Sequence, residues 1–162
     1  MANAIYLKID GADGTSTDSE HAKWIELESY SFGGSQQSTQ AHGGGAGAGK
    51  VSFQDFHFTA KAGTDSPVVF GYMCEGEHIK KVELHAVKVG GKGAKMIFMK
   101  IVLENAFMSG FQLSDSSGGG DPTGSYSLNF AKATYTYTGQ KDDGSKAADI
   151  TKGWDTKLNK AV

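Results

Sequence analysis

The feature that most constrains this sequence is a period of two, repeated in short runs that are separated by glycine and aspartate. Residues 5–10 alternate apolar with mostly polar side chains, and residues 125–138 alternate aromatic or apolar with hydroxyl-bearing ones. Because successive side chains of a β-strand point to opposite faces, both runs predict half-buried strands. Similar runs predict further strands at 24–32, 51–59, 82–86 and 96–107, and another short strand starts at Phe111 and Leu113.

The period breaks inside the run at 51–59. Phe53 and Phe56 are separated by an odd step, so a strand that keeps both inward must contain an extra residue. This spacing predicts a β-bulge near Gln54–Asp55.

One segment has helical spacing instead. Ser66 followed by Pro67 predicts a capping residue and the first helical position, and Gly76 predicts the end of the helix. Four-residue spacing places Val69 with Met73 on one face, and likewise Phe70 with Cys74. Cys74 is therefore expected to be a small buried side chain rather than a nucleophile.

Six to eight strands and one helix define the expected architecture. It is a mainly β fold in which two packed antiparallel sheets form a β-barrel or sandwich with one flanking α-helix. A length of 162 residues fits a single domain over 1–162. The polar tail from Gly139 to Val162 is expected to attach through apolar anchors at Ile150, Trp154 and Leu158.

The amino-acid composition argues against several classes of protein. The net charge is −2, all sixteen basic residues are lysine, and arginine is absent, which argues against nucleic-acid binding. A single cysteine excludes a disulfide framework, and no apolar run is long enough for membrane insertion. The first residues lack the basic and apolar regions of a signal peptide, so we expect synthesis in the cytoplasm and export without a cleaved signal.

The segment Gly33–Gly49 contains many glycines, has no apolar period and predicts a long flexible loop. Gly44–Lys50 fits the first seven positions of a phosphate-binding loop, but Val51 stands where that loop needs a hydroxyl. A strand pattern follows rather than the helix whose N-terminus would hold a phosphate. An extended loop is the favoured interpretation, and magnesium-dependent nucleotide binding in a titration would support the alternative of a nucleotide-binding switch.

No other group of residues predicts catalysis. The five histidines are scattered without metal-ligand spacing, and His57, beside phenylalanines, is expected on a strand surface. No Gly-x-Ser-x-Gly motif is present, and paired carboxylates such as Asp142–Asp143 fall in a polar turn. We therefore predict no catalytic, cofactor-binding or metal-binding residues, and a protein that is not an enzyme.

Several segments in collinear order resemble the haemolysin-coregulated protein (Hcp) family of bacterial type VI secretion systems. The resemblance runs from Ile5 to Lys160. It departs from the family pattern at Gly63–Thr64, before the helix, and at Gly71 within it. The matching segments are His21–Gln36, Ala48–Thr59, Asp65–Pro67, Met73–Gly76, Leu128–Ala131, Gly153–Trp154 and Asn159–Lys160.

The resemblance implies a structural role. Family members form hexameric rings, which stack into the inner tube of a contractile injection machine and hold effector proteins in the lumen. It implies partners of four kinds, namely further copies of the chain, the contractile sheath, the spike protein and effectors. It also implies a protein that is cytoplasmic and then secreted through the type VI apparatus. The alternative is an Hcp-like adaptor or secreted effector carrier that does not itself build the tube.

Particular residues follow from this interpretation. Ser29 and Ser31 continue one face of their strand after its apolar part ends, so we expect them to face the lumen and contact effectors. The turn at Gly90 and Gly91 and the tail near Lys157 are further candidates for the ring face. The expected ring-stacking loop comprises Gly43, Gly44, Gly45, Gly47, Gly49 and Lys50.

Overall fold

The structure is a computed structural model that describes residues 3–36, 50–89 and 93–162. Within them lie eleven strands and one helix, and the helix, α1, spans Asp65–Glu75. None of the helical residues described forms a segment long and apolar enough to cross a bilayer. The strands are β1 (Ala4–Ile9), β2 (Ile25–Glu26), β3 (Ser29–Ser31), β4 (Gly34–Gln36), β5 (Val51–Phe53), β6 (Phe56–Lys61), β7 (Ile79–Val89), β8 (Lys95–Ser114), β9 (Thr123–Gln140), β10 (Lys146–Asp155) and β11 (Lys160–Ala161).

Nine of these strands form one antiparallel sheet, in the order β11-β10-β9-β8-β7-β1-β2, with β6 and β3 branching from β9. Strand β9 organises the sheet, because β8 pairs along one of its edges while β6 and β10 share the other. Strands β4 and β5 form a separate two-stranded hairpin. The predicted mainly β fold with one helix is thus confirmed, as one large wrapped sheet plus a hairpin.

The two ends of the wrapped sheet meet at residues 27–28. Strand β2 pairs with β1, and β3 pairs with β6, so no continuous ladder closes the sheet. Two single bonds cross the junction: Leu27 N–H donates to the Ile5 carbonyl at 2.9 Å, and Glu28 N–H donates to the Thr59 carbonyl at 2.8 Å. The predicted single strand over 24–32 is therefore wrong, because the chain changes its pairing partner at this point.

The hydrophobic core fills the inside of the wrapped sheet and follows the alternation read from the sequence. Strand β6 shows this directly, because Phe56, Phe58 and Ala60 are fully buried while His57 and Lys61 are exposed. The prediction of a strand-surface His57 is confirmed. The other large, fully buried core side chains are Leu7, Ile9, Val69, Val82, Leu84, Ile101, Leu103, Tyr126 and Leu128.

Strand β8 continues without interruption for 20 residues, so the separate strand predicted at Phe111 and Leu113 is wrong. Asn105 has a left-handed backbone with φ of 54°, a conformation that asparagine tolerates better than most residues. The alternation changes phase there: Leu103 is buried before it and Ala106 after it. The strand therefore bends around the core instead of ending.

The helix begins earlier than the sequence predicted. Thr64 is the N-cap, without a side-chain capping bond, so Ser66 is not the cap and Pro67 is not the first helical residue. Ser66 is instead buried, and its Oγ accepts a hydrogen bond from Tyr126 Oη at 3.3 Å. The predicted end at Gly76 is confirmed, with a left-handed backbone there.

Other predictions about burial fail. Cys74 is exposed, because the helix buries the side of Val69 and leaves Cys74 facing solvent. Ile150 and Leu158 are 67% and 61% exposed, so neither anchors the tail within this chain.

The alternation of residues 51–59 does break near Gln54–Asp55, but the predicted bulge is wrong. The break is a gap between β5 and β6, which pair with different strands.

Candidate functional site

The solvent side of β3, β6 and β9 carries a band of hydroxyl side chains, which we call the hydroxyl face. Backbone pairing aligns its residues in two rows across the strands. Short polar side chains point outward here because the intervening residues fill the core. One row is Ser31, His57 and Ser127, and the other is Ser29, Thr59 and Ser125.

The two serines predicted to face the lumen, Ser29 and Ser31, both lie on the hydroxyl face but differ in their hydrogen bonds. Both are exposed on β3, as a lumen-facing pair would be. They do not continue the face of Ile25 and Leu27, which are buried, because the alternation changes phase where the chain changes its pairing partner. Ser29 Oγ is hydrogen-bonded to Thr59 Oγ1 at 2.6 Å, whereas the Ser31 side chain makes no hydrogen bond with any described residue. Ser31, next to the equally unbonded His57 ring, therefore offers free hydrogen-bonding capacity, and Ser29 offers less.

The few charges around the hydroxyl face are held by neighbours. The Asp55 carboxylate accepts hydrogen bonds from Ser109 Oγ at 2.7 Å and from Asn129 Nδ2 at 3.2 Å. At the opposite end, Lys61 Nζ lies 3.8 Å from Glu28 Oε1 and donates to Thr123 Oγ1 at 3.3 Å. The middle of the face thus presents serine and threonine hydroxyls and the His57 ring, which are suited to weak hydrogen bonding. Among the residues that the structure describes, no hydrogen bond joins His57 to a serine and to an orienting group.

A second surface lies where the core side of the sheet extends past the strands that cover it. Ile101 and Leu103 are buried on this side of β8, and the same side of β9 and β10 continues outward as Tyr135, Tyr137 and Ile150. These three side chains are 41%, 42% and 67% exposed. We call them the open apolar face, since the side of the sheet that forms the core remains uncovered there.

A shallow apolar groove of about 290 Å³ adjoins the open apolar face. Four aromatic side chains line it, namely Phe32, Phe53, Tyr135 and Trp154. Trp154 is half-buried, and its indole N–H is buried without an acceptor among the described residues. Burial without a hydrogen bond is costly, so this donor is a further sign that the groove is incomplete in the isolated chain.

The predicted ring-face residues are only partly visible. Lys50 and Lys157 are both exposed, and Lys157 lies in a turn where its N–H donates to Asp155 Oδ1 at 2.9 Å. Gly43, Gly44, Gly45, Gly47, Gly49, Gly90 and Gly91 lie outside the described residues.

Comparisons with known proteins agree with this architecture. A family profile described as "Type VI secretion system effector, Hcp" matches residues 6–137. Protein hcp1 of Pseudomonas aeruginosa is 33% identical over 160 residues, which cover 98% of both chains. The crystal structure of Hcp1 from Salmonella typhimurium superposes with a TM-score of 0.82 at 30% identity, and both chains are fully covered. The structure of a type six secretion system protein reaches a TM-score of 0.91 at 24% identity, over 99% of this chain and all of that one.

Proposed function

The chain belongs to the Hcp family of type VI secretion proteins, and from that premise we propose that it is the subunit of hexameric rings that stack into the expelled tube. Proteins of this family are structural rather than enzymatic, in agreement with the prediction that the chain is not an enzyme. The proposal includes effectors held in the lumen, a surrounding sheath, a spike at the tip, and export from the cytoplasm through the type VI apparatus.

The open apolar face is the observation that carries the proposal. Tyr135, Tyr137 and Ile150 continue, across β9 and β10, the side of the sheet on which β8 buries Ile101 and Leu103. Contiguous apolar surface of this kind marks an interface in soluble proteins, and the unpaired Trp154 N–H lies beside it. A neighbour that covers this face with a different part of its own surface makes a head-to-tail contact, and such contacts generate a ring when the rotation between neighbours closes.

The hydroxyl face supports the lumenal part of the proposal. A passage that carries folded cargo needs contacts weak enough to release it, and neutral hydroxyls supply such contacts. We therefore assign Ser29 and Ser31 to the lumen, with Ser31 as the stronger contact because its hydroxyl is unbonded. Lys50, Lys157 and the glycines at 43–49 and 90–91 remain our candidates for contacts between stacked rings.

The mass of the assembly in solution tests the proposal. Light scattering after size exclusion should give about 103 kDa for six copies of 17.1 kDa, and negative-stain images should show rings with a central hole. A monomer of the wild-type chain would contradict the tube role and favour the adaptor or carrier function.

Two neighbouring substitutions locate the interface. Ile150→Lys places a charge on the open apolar face and should convert rings to smaller species without unfolding the chain, since Ile150 is 67% exposed. Thr151→Lys is the matched control, because adjacent residues of β10 point to opposite faces of the sheet. Rings that survive Ile150→Lys would show that this face is not the contact.

A further inference from the structure

Four side chains outside both surfaces form an unbroken chain of hydrogen bonds whose central contact is buried. Asp18 and His21 belong to the connection between β1 and β2, and Glu83 and His85 belong to β7. His21 Nδ1 lies 3.1 Å from Asp18 Oδ2, His21 Nε2 lies 2.9 Å from His85 Nδ1, and His85 Nε2 lies 2.8 Å from Glu83 Oε1. These contacts, together with the Asp18–Lys95 ion pair, link the connection by its side chains to β7 and β8.

The two imidazole rings are enclosed by aromatic side chains. His21 is 1% exposed and His85 is 8% exposed. The Tyr6 ring stacks on His21 with centroids 4.5 Å apart and an interplanar angle of 7°, while Trp24 contacts His21 at 4.8 Å and His85 at 4.6 Å. This enclosure keeps water from the two rings, so their nitrogens must find hydrogen-bond partners among the protein side chains.

Charged side chains of the neighbouring elements face the hydrogen-bond chain. Lys95 of β8 pairs with Asp18, and Lys81 of β7 lies 3.4 Å from Glu83 Oε2. Glu20 in the connection and Glu26 on β2 act from farther away, on Lys95 and Tyr6 respectively. The two carboxylates next to the imidazoles are thus each balanced by one lysine.

The hydrogen bonds fix the number of protons on the rings. Each of the three contacts needs one hydrogen between its two heavy atoms, and a carboxylate can only accept. Two neutral rings carry two protons and leave one contact with lone pairs facing each other. Two fully protonated rings carry four protons and place two N–H groups head to head at the 2.9 Å contact. Only three protons satisfy every contact.

The carboxylates do not supply the third proton. Hydrogen bonds from Lys95 and His21 lower the pKa of Asp18 to about 2, and the hydrogen bond from His85 is the main cause that lowers the pKa of Glu83 to about 2. Both groups are ionised at neutral pH, so all three hydrogens reside on the imidazole nitrogens.

We propose that His21 and His85 form a buried proton-binding site that holds one shared proton between them, and that this proton fastens the β1–β2 connection to β7. Losing the shared proton at alkaline pH, or gaining a fourth at acid pH, breaks the central contact. The fastened state therefore exists only within a pH window, since coupled groups titrate as a pair. This site does not depend on the ring or tube proposal.

A proton count on the wild-type protein tests the site without any substitution. Long-range ¹H–¹⁵N correlation spectra report the protonation of each imidazole nitrogen. At neutral pH we expect His21 Nδ1 and His85 Nε2 to be fully protonated, with one hydrogen shared by the two facing nitrogens, for a total of three. A total of two or of four would overturn the proposal.

Trp24 provides a second readout, because it contacts both rings. In a Trp154→Phe background Trp24 is the remaining tryptophan. Its fluorescence should follow a bell-shaped pH profile, with changes on both the acid and the alkaline side. His85→Gln replaces the ring with an amide that can donate to His21 without titrating. In this variant the pH profile of Trp24 fluorescence should show a single step instead of a bell.

His78→Gln is the matched control. His78 is an exposed histidine that is hydrogen-bonded to Asn105 and is not a member of the Asp18–His21–His85–Glu83 chain. It should leave the bell unchanged. A wild-type profile with a single step, or a bell that persists in His85→Gln, would overturn the proposal.

Discussion

Replacing Gly71 by alanine should stabilise the protein, because glycine is a poor helix residue and the position is open. Gly71 lies within α1, and a Cβ built on it meets no heavy atom within 4 Å. The substitution therefore adds no clash and removes no contact. The only change is in the backbone, which alanine restricts toward the helix that the folded chain already adopts.

The size of the effect follows from helix propensity. Alanine is favoured over glycine by about 0.8–1 kcal/mol in a helix interior. We expect the free energy of unfolding to rise by about that amount and the melting temperature by about 2–4 °C for a chain of this length. Urea unfolding at one fixed protomer concentration measures the change without interference from assembly.

Gly76→Ala is the matched control five residues away. Its Cβ also meets nothing within 4 Å, but Gly76 has φ of 64° and ψ of 35°, in the left-handed region. An L-residue pays about 1 kcal/mol or more for that conformation, so this variant should lose stability. Shifts of the same sign in the two variants would refute the reasoning, because the surrounding space is open at both and only the backbone differs.

Three further predictions concern charge and cargo. The pKa values of Glu83 and Asp18 are both lowered to about 2. The two ionised carboxylates therefore contribute their full stabilisation above the ordinary carboxylate pKa of about 4, and this contribution is lost as the pH falls through 2. In urea unfolding from pH 5 to 2, Glu83→Gln should make the free energy of unfolding fall less steeply with decreasing pH. Burial raises the pKa of Asp65, and its Oδ2 has no hydrogen-bond partner within the described part of the chain, so Asp65→Asn should stabilise the fold at neutral pH. The gain should shrink on acidification, where the aspartate itself becomes neutral. Ser31→Gln should reduce the effector that co-purifies with intact rings more than Ser29→Gln does, because the Ser29 hydroxyl is already bonded, and equal retention in both would contradict the lumenal role of Ser31.

Local patterning predicted those parts of the fold that depend on neighbours in sequence. The strand at residues 5–10 and the end of the helix at Gly76 follow from alternation and from a left-handed glycine, and both are present. The sequence prediction divides β8 between Phe107 and Phe111. In the structure the strand is continuous there, because its pairing with β9 shifts by one residue between Met108 and Gly110 and then continues to Ser114. That continuity depends on the partner strand, which the local pattern does not reveal.

The candidate surfaces and the histidine pair likewise depend on contacts between residues that are distant in sequence. The period of two places Ser29 and Ser31 on the face of Ile25 and Leu27, which is buried, so their exposure depends on a change of phase at residues 27–28 that the period does not show. The Ser29–Thr59 bond spans 30 residues and depends on pairing between β3 and β6. His21 and His85 are 64 residues apart and have no spacing that marks them as a pair. Their contact arises because the β1–β2 connection folds back over β7, which only the tertiary structure shows.

Strand β9 carries both proposed surfaces. Its first half carries Ser125 and Ser127 on the side away from the core, and its second half carries Tyr135 and Tyr137 on the side that continues the core. The alternation changes phase between the halves, because Leu128 and Phe130 are buried in the first and Ala133 in the second. The pairing with β8 also shifts by one residue between Met108 and Gly110, so the serines and the tyrosines stand in different registers. A slip of the first half by one residue would turn its hydroxyls inward and bring Leu128 to solvent, and the register of the tyrosines is set separately. The lumenal surface and the ring contact can therefore be altered one at a time, although one strand carries both.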